Sequence, residues 1–196
     1  MRASEQKGLD MKIALFYYDG FSEFEVVLIA LFFKEHDLIS VALEKREYRS
    51  EENQRFCVDQ VIHEVDVESI DLLVIPGGDP APLVGNQELK SFIEELVSKN
   101  KKVSGICGGA SLLAGLGFLK GKKCTGMGSG VNPGAASYPY FAETIVSSEQ
   151  VVVDGNMITG QGQAYVEFAI ELARQMNLCS HEGDYEAAQK WFKNFR

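Results

Sequence analysis

The stretch KKVSGICGGASLLAGLGFLKG, residues 101–121, runs from an apolar segment through a glycine cluster into a helix-like pattern, with one cysteine at the joint. Residues 103–106 read as a short buried strand and residues 108–116 as the helix that follows it. Cys107 has Gly105 two residues before it and Gly109 two residues after it. That is the small-x-nucleophile-x-small pattern of a strand-to-helix elbow, where small neighbours let the backbone pack closely. A thiol so placed stands at a helix N-terminus, whose partial positive charge favours the thiolate. The alternative is a small buried residue, which most lone cysteines are. The stretch alone leaves both open.

Working outward, residues 12–18 form an apolar run ending at Asp19-Gly20, as expected of a buried parallel strand followed by a turn. A helix is expected from Ser22 to about Glu35, with Phe24, Val27, Leu28, Leu31 and Phe32 as its apolar stripe. A second strand spans 38–43. Residues 44–53 are charged and read as an irregular surface excursion, and 56–65 as one or two short strands. DLLVIPGG, residues 71–78, is the clearest strand, and its Pro-Gly-Gly end forces a turn with free amides. A helix over 88–98 follows.

Beyond the elbow a short strand is expected at 123–125. Asp154-Gly155 between two apolar runs signals a hairpin. Helices are expected over 165–176 and 185–192. Strands alternating with helices of this length predict a doubly wound α/β sheet with helices on both faces, which places ligands beyond the carboxyl ends of the strands.

At 196 residues the chain reads as one domain, 11–196, preceded by a polar tail at 1–10. A domain of this size buries about 70% of the surface its unfolded form exposes. The net charge of −9 would repel phosphate backbones, so nucleic acid is not an expected partner. No apolar window approaches the ~20 residues that cross a bilayer, so no membrane partner is expected either. The N-terminus lacks the apolar core of a signal peptide, and a cytoplasmic location is expected. Cys57, Cys107, Cys124 and Cys179 show no C-x-x-C pair and no zinc-ligand spacing.

Glu25 lies one helical turn past the end of the first strand and can reach the same carboxyl edge as Cys107. The competing reading is a capping box, since Ser22-Glu23-Phe24-Glu25 fits S-x-x-E. Gly77, Gly78 and Gly108 offer backbone amides for an oxyanion hole, or else only a turn. The three histidines, His36, His63 and His181, are all remote in sequence from the elbow.

Taken together, ALFYYDGFSEFEVV (14–27), DLLVIPGGDPAP (71–82), VSGICGGASLLAGLGFLKGKKCTG (103–126) and TGQGQAYVEFAIELA (159–173) resemble the ThiJ/PfpI family, in order and along nearly all of 11–176. The resemblance implies a flavodoxin-like three-layer sandwich, a homodimer and chemistry without a cofactor. It also implies that Cys107 is the reactive cysteine and that Glu25 is the buried carboxyl group hydrogen-bonded to it. The chain departs from PfpI-type proteases, which carry histidine directly after the cysteine, where this sequence has Gly108. The loop TGMGSGVNPGAASYPY (125–140), which supplies a histidine in other members, has none. Asn132, Tyr138 and Tyr140 are candidates to line the site in its place.

The expected function is that of a cysteine enzyme acting on a small electrophile such as a 2-oxoaldehyde, through a Cys107 adduct with Glu25 moving the proton. One alternative is a sensor that signals by oxidation of Cys107. Another is a protease or amidase, which the missing histidine disfavours.

Overall fold

The computed structural model describes residues 10–193, so the expected tail lies outside the described residues apart from Asp10. Strand β1 (Lys12–Phe16) leads through a 3-10 turn (Glu23–Glu25) into α1 (Val27–Phe32) and then β2 (Asp37–Ala42). A hairpin of β3 (Glu47–Arg49) and β4 (Arg55–Cys57) precedes the short β5 (Gln60–Val61). Strand β6 (Leu72–Ile75), helix α2 (Gln87–Ser98), strand β7 (Lys102–Ile106) and helix α3 (Gly108–Gly115) continue the alternation. Next come β8 (Lys123–Cys124), β9 (Ile145–Val146), the hairpin β10 (Val151–Asp154) and β11 (Met157–Gly160), and helices α4 (Tyr165–Gln175) and α5 (Glu182–Lys193).

Seven strands form one sheet in the order β10-β11-β7-β6-β1-β2-β5, parallel throughout except for β10. The side-chain alternation of β1 shows how the layers arise. Ala14 and Phe16 pack under α2 and α3 with Leu89, Ile93, Leu112 and Leu113. Ile13 and Leu15 face the other side, toward Ile29, Phe33, Phe168 and Leu172 of the α1 and α4 layer. Because helices cover both faces, all four residues of β6 are fully buried, and the strand reads as an unbroken apolar run. The result is the expected three-layer α/β sandwich. Strand β1 lies between β6 and β2, so the chain crosses over at the β1–β6 boundary. The loops after β1, β6 and β7 meet there, at the carboxyl edge.

Three expectations change. The helix expected from Ser22 breaks into the 3-10 turn and a six-residue α1, with β-branched Val26 and Val27 at the junction. Its apolar face also differs: Val26, Ile29 and Phe33 are buried, whereas Phe24, Val27 and Leu31 are 45%, 43% and 46% exposed. The charged segment after β2 is ordered as the β3–β4 hairpin. The strand near residue 123 does not join the main sheet but pairs with β9.

Among the described residues no helix is long and apolar enough to cross a membrane.

Candidate active site

The elbow begins where β7 ends. Cys107 adopts φ 54° and ψ −116°, the mirror image of an extended conformation and a region that suits glycine rather than a side-chain-bearing residue. Its surroundings hold it there. The Cys107 N–H donates to the Gly160 carbonyl at 2.9 Å, and its own carbonyl accepts from the Met127 amide at 3.1 Å. The flanking glycines are needed because backbone passes close by. A Cβ on Gly108 would sit 1.9 Å from the Gly78 oxygen, and one on Gly109 would sit 2.2 Å from the Ile75 oxygen. The loop after β6 and the start of α3 therefore interlock through their glycines, and the half-buried thiol is fixed over the sheet edge.

Glu25 enters this enclosure from the 3-10 turn and is only 2% exposed. Its Oε2 accepts the Gly77 N–H at 2.7 Å, and its carboxyl group lies beside the Cys107 thiol. Two glycines make room for the pair. A Cβ on Gly77 would lie 2.3 Å from Glu25 Oε2, and one on Gly162 would lie 2.7 Å from Oε1 and 3.1 Å from Cys107 Sγ.

The capping box does not form. Ser22 makes no side-chain cap and its hydroxyl donates instead to Glu51 at 2.6 Å, while the Glu23 and Phe24 amides donate to Glu52 at 3.0 and 3.2 Å. The oxyanion expectation is corrected in part. The Gly77 amide is committed to Glu25, so Gly77 positions the carboxyl and is not free to receive an oxyanion. The Gly108 amide lies beside the Cys107 sulfur and draws the thiol pKa down. The Gly78 amide makes no backbone hydrogen bond among the described residues.

Burial raises the Glu25 pKa to about 7, against the opposing pull of the Gly77 amide and the Cys107 thiol, with the charges of Glu51 and Glu52 adding to the rise. Burial also pushes the Cys107 thiol well above its usual range, the Glu25 charge pushes the same way, and only the Gly108 amide draws it down. The helix terminus therefore does not by itself yield a thiolate. The repulsion comes from ionised Glu25, and it vanishes when Glu25 holds the proton and donates to sulfur. The two groups shift one another, so their titrations are coupled.

Tyr138 is 42% exposed. Tyr140 packs against Gly115, the last residue of α3 and about 10 Å along the helix from its start, so this side chain contacts the far end of α3. Asn132 lines an open depression of about 690 Å³ with Gln161, and its Oδ1 accepts from the Gly134 amide within its own loop. His63 pairs with Glu88, His36 lies against Phe33 and His181 is exposed, so no histidine serves Cys107. No group of three or more metal-binding side chains occurs among the described residues.

Sequence reasoning missed three participants. The Tyr18 hydroxyl donates to the Gly77 carbonyl at 2.7 Å and to Pro76 at 3.1 Å, fixing the Pro-Gly-Gly turn. Burial, then Glu25 and Cys107, push its pKa up, so it stays a donor. Met127, at φ 58°, bridges Cys107 and Gly162 through its backbone amide and carbonyl. Gly162 closes the Glu25 enclosure. Its only sequence signal was a place in the glycine loop before α4.

The model of the DJ-1/PfpI family matches residues 11–175. A deglycase of Thermococcus kodakarensis is 29% identical over 154 residues, covering 77% of this chain and 90% of that protein. A Bacillus subtilis protein with a provisional cysteine-protease name is 29% identical over 161 residues, covering 78% of this chain and 90% of that one. Among solved structures, a mutant of a DJ-1 superfamily protein from Salmonella typhimurium superposes with a TM-score of 0.78 at 22% identity, over 95% of this chain and 99% of that one. With the family model spanning the first strand through α4, the chain belongs to the DJ-1/PfpI family.

Proposed function

We propose that the protein is a cysteine enzyme that acts on small electrophiles of the 2-oxoaldehyde class, with Cys107 as nucleophile and Glu25 as the group that moves the proton. One observation carries this reading: the Glu25 carboxyl is buried beside the Cys107 thiol, where Gly77 and Gly162 leave room for both, and burial raises its pKa to about 7. A general acid/base works best when its pKa lies near the operating pH. The deglycase name of the Thermococcus relative agrees with this chemistry.

The steps balance without an added oxidant or cofactor. Sulfur adds to the aldehyde carbon as the Cys107 proton passes through Glu25 to the new oxygen, giving a hemithioacetal. Glu25 removes the hydrogen from that carbon as a proton and returns it to the adjacent carbon, while the hydroxyl proton passes to the former ketone oxygen. The former ketone becomes an alcohol and the former aldehyde a thioester. Water cleaves the thioester, releasing a 2-hydroxy acid and the free thiol. The Gly78 amide is available to the oxygens that develop charge.

An adduct on Cys107 is the direct test. Mass spectrometry of protein quenched during methylglyoxal exposure should find substrate mass on the Cys107 peptide of the wild type and none in Cys107→Ala. Absence of any adduct, together with gain of two oxygens on Cys107 under mild peroxide, would favour the sensor reading. The Gly108 amide beside the sulfur supports that second reading, since it can hold an oxidised sulfur as well as a thiolate. Peptide hydrolysis lacks the histidine it would need at Gly108.

A further inference from the structure

The 3-10 turn that carries Glu25 needs acceptors for its first amides. In a capping box the Ser22 hydroxyl would accept one of them and Glu25 would bend back to the Ser22 amide. Both roles are filled otherwise. The Ser22 N–H donates to the Gly77 carbonyl at 2.9 Å, and the Ser22 hydroxyl is spent on Glu51. We infer that Glu52, at the tip of the β3–β4 hairpin, is a positioning residue for the Cys107–Glu25 pair, its carboxylate capping the turn so that Glu25 is free to face the thiol.

The cap is bidentate: Oε2 accepts the Glu23 amide at 3.0 Å and Oε1 accepts the Phe24 amide at 3.2 Å, from 29 and 28 residues away in sequence. The hairpin is tied to the same segment at two other points. The Glu51 N–H donates to the Phe21 carbonyl and the Gly20 N–H to the Arg49 carbonyl, both at 2.8 Å. Asn53 turns the hairpin tip in the left-handed region at φ 67°, and the Ser50 amide closes it on the Gln54 carbonyl at 2.9 Å. The hairpin is thus a strap across the start of the Glu25 turn.

The strap also sets charge. Glu51 and Glu52 act on Glu25 from the hairpin, while Cys107 and Tyr18 face it from just past the ends of β7 and β1. No cation pairs with Glu51 or Glu52 among the described residues. Burial raises the Glu52 carboxyl, but the Glu23, Phe24 and Glu52 amides and the Ser50 hydroxyl outweigh it and keep the group ionised at neutral pH. The neighbouring negative charge holds the proton on Glu25.

This inference rests on the proposed role of the Cys107–Glu25 pair, and its test uses no substrate. Iodoacetamide alkylation of the Cys107 peptide is followed against pH in wild type, Glu52→Gln, Glu52→Asp and Glu25→Gln, alongside amide hydrogen exchange in wild type and Glu52→Ala. Removing the charge in Glu52→Gln lets Glu25 ionise sooner and oppose the thiolate, so it is expected to raise the midpoint of the alkylation profile by about 0.3–0.5 pH units, while Glu52→Asp keeps the wild-type midpoint. Removing the cap in Glu52→Ala is expected to speed exchange of the Glu23 and Phe24 amides about tenfold or more. An unmoved midpoint in Glu52→Gln, or unchanged exchange in Glu52→Ala, overturns the inference. A profile that Glu25→Gln leaves unmoved overturns it together with the pair. Failure of methylglyoxal turnover alone removes the proposed activity and leaves the strap intact.

Discussion

The Glu25 carboxyl meets the Cys107 thiol in an enclosure walled by the Cα atoms of Gly77 and Gly162, and neither glycine can carry a methyl group without striking Glu25. Sequence separates the two partners by most of the parallel sheet's crossovers; the β1–β6–β7 order brings them together. From this contact follow expectations about stability, strain and chemistry.

Glu25 makes stability depend on pH. Its folded pKa of about 7 lies above the ordinary 4.5, so between those values the native state keeps a proton that the unfolded chain has released. Stability conferred by the protonated form is complete below about pH 4.5 and is lost as pH rises through 7. The full difference amounts to about 3 kcal/mol. Glu25→Gln, which cannot ionise, should therefore be more stable than wild type by roughly 1–3 kcal/mol at pH 8, the gap closing below about pH 5. Urea denaturation at the two pH values measures it; a gap that widens on acidification would contradict the assignment.

Gly162→Ala should disturb the pair directly. The new methyl would lie 2.7 Å from Glu25 Oε1 and 3.1 Å from Cys107 Sγ, and overpacking of this kind costs about 1–3 kcal/mol. Gly85 provides the comparison, because a Cβ there meets nothing within 4 Å. Gly85→Ala is expected to stay within about 1 kcal/mol of wild type. Thermal unfolding of both variants, with Cys107 alkylation as the site readout, distinguishes a local clash from a general intolerance of glycine replacement.

Much of this architecture is legible in sequence, and the gaps have physical causes. Strands β1, β6 and β7 announce themselves because burial on both faces demands continuous apolar runs. The elbow is legible because close backbone approach demands Gly105, Gly108 and Gly109. The apolar face of α1 is not, since the segment has more apolar residues than it buries and two stripes compete. S-x-x-E at Ser22 suggests a local cap, but its amides find Glu52, whose contact depends on a hairpin 28 residues away. Met127 acts through backbone groups and Gly162 through the absence of a side chain, which leaves no chemical signature in the residue type, and Tyr18, which acts through its hydroxyl, reads in sequence only as the end of an apolar run.

Backbone strain at Cys107 can be isolated by comparing Cys107→Gly with Cys107→Ala. Both lose the sulfur, but only glycine accepts φ 54° with ψ −116° without penalty. Relief of about 1–3 kcal/mol of strain outweighs the extra chain entropy of glycine, so Cys107→Gly should be the more stable by about 1 kcal/mol. Equal stability, or an advantage for alanine, would mean that the elbow stores no strain at this residue.

The central claim is that Cys107 and Glu25 perform the chemistry together, and steady-state formation of lactate from methylglyoxal tests it most directly. Wild type is expected to turn over without added metal or cofactor. Cys107→Ala and Glu25→Gln should each lose about 100-fold or more in kcat/KM, and the double variant should be little worse than either single one. Wild-type protein that forms no lactate, or a Cys107→Ala variant that retains the wild-type rate, would contradict the account.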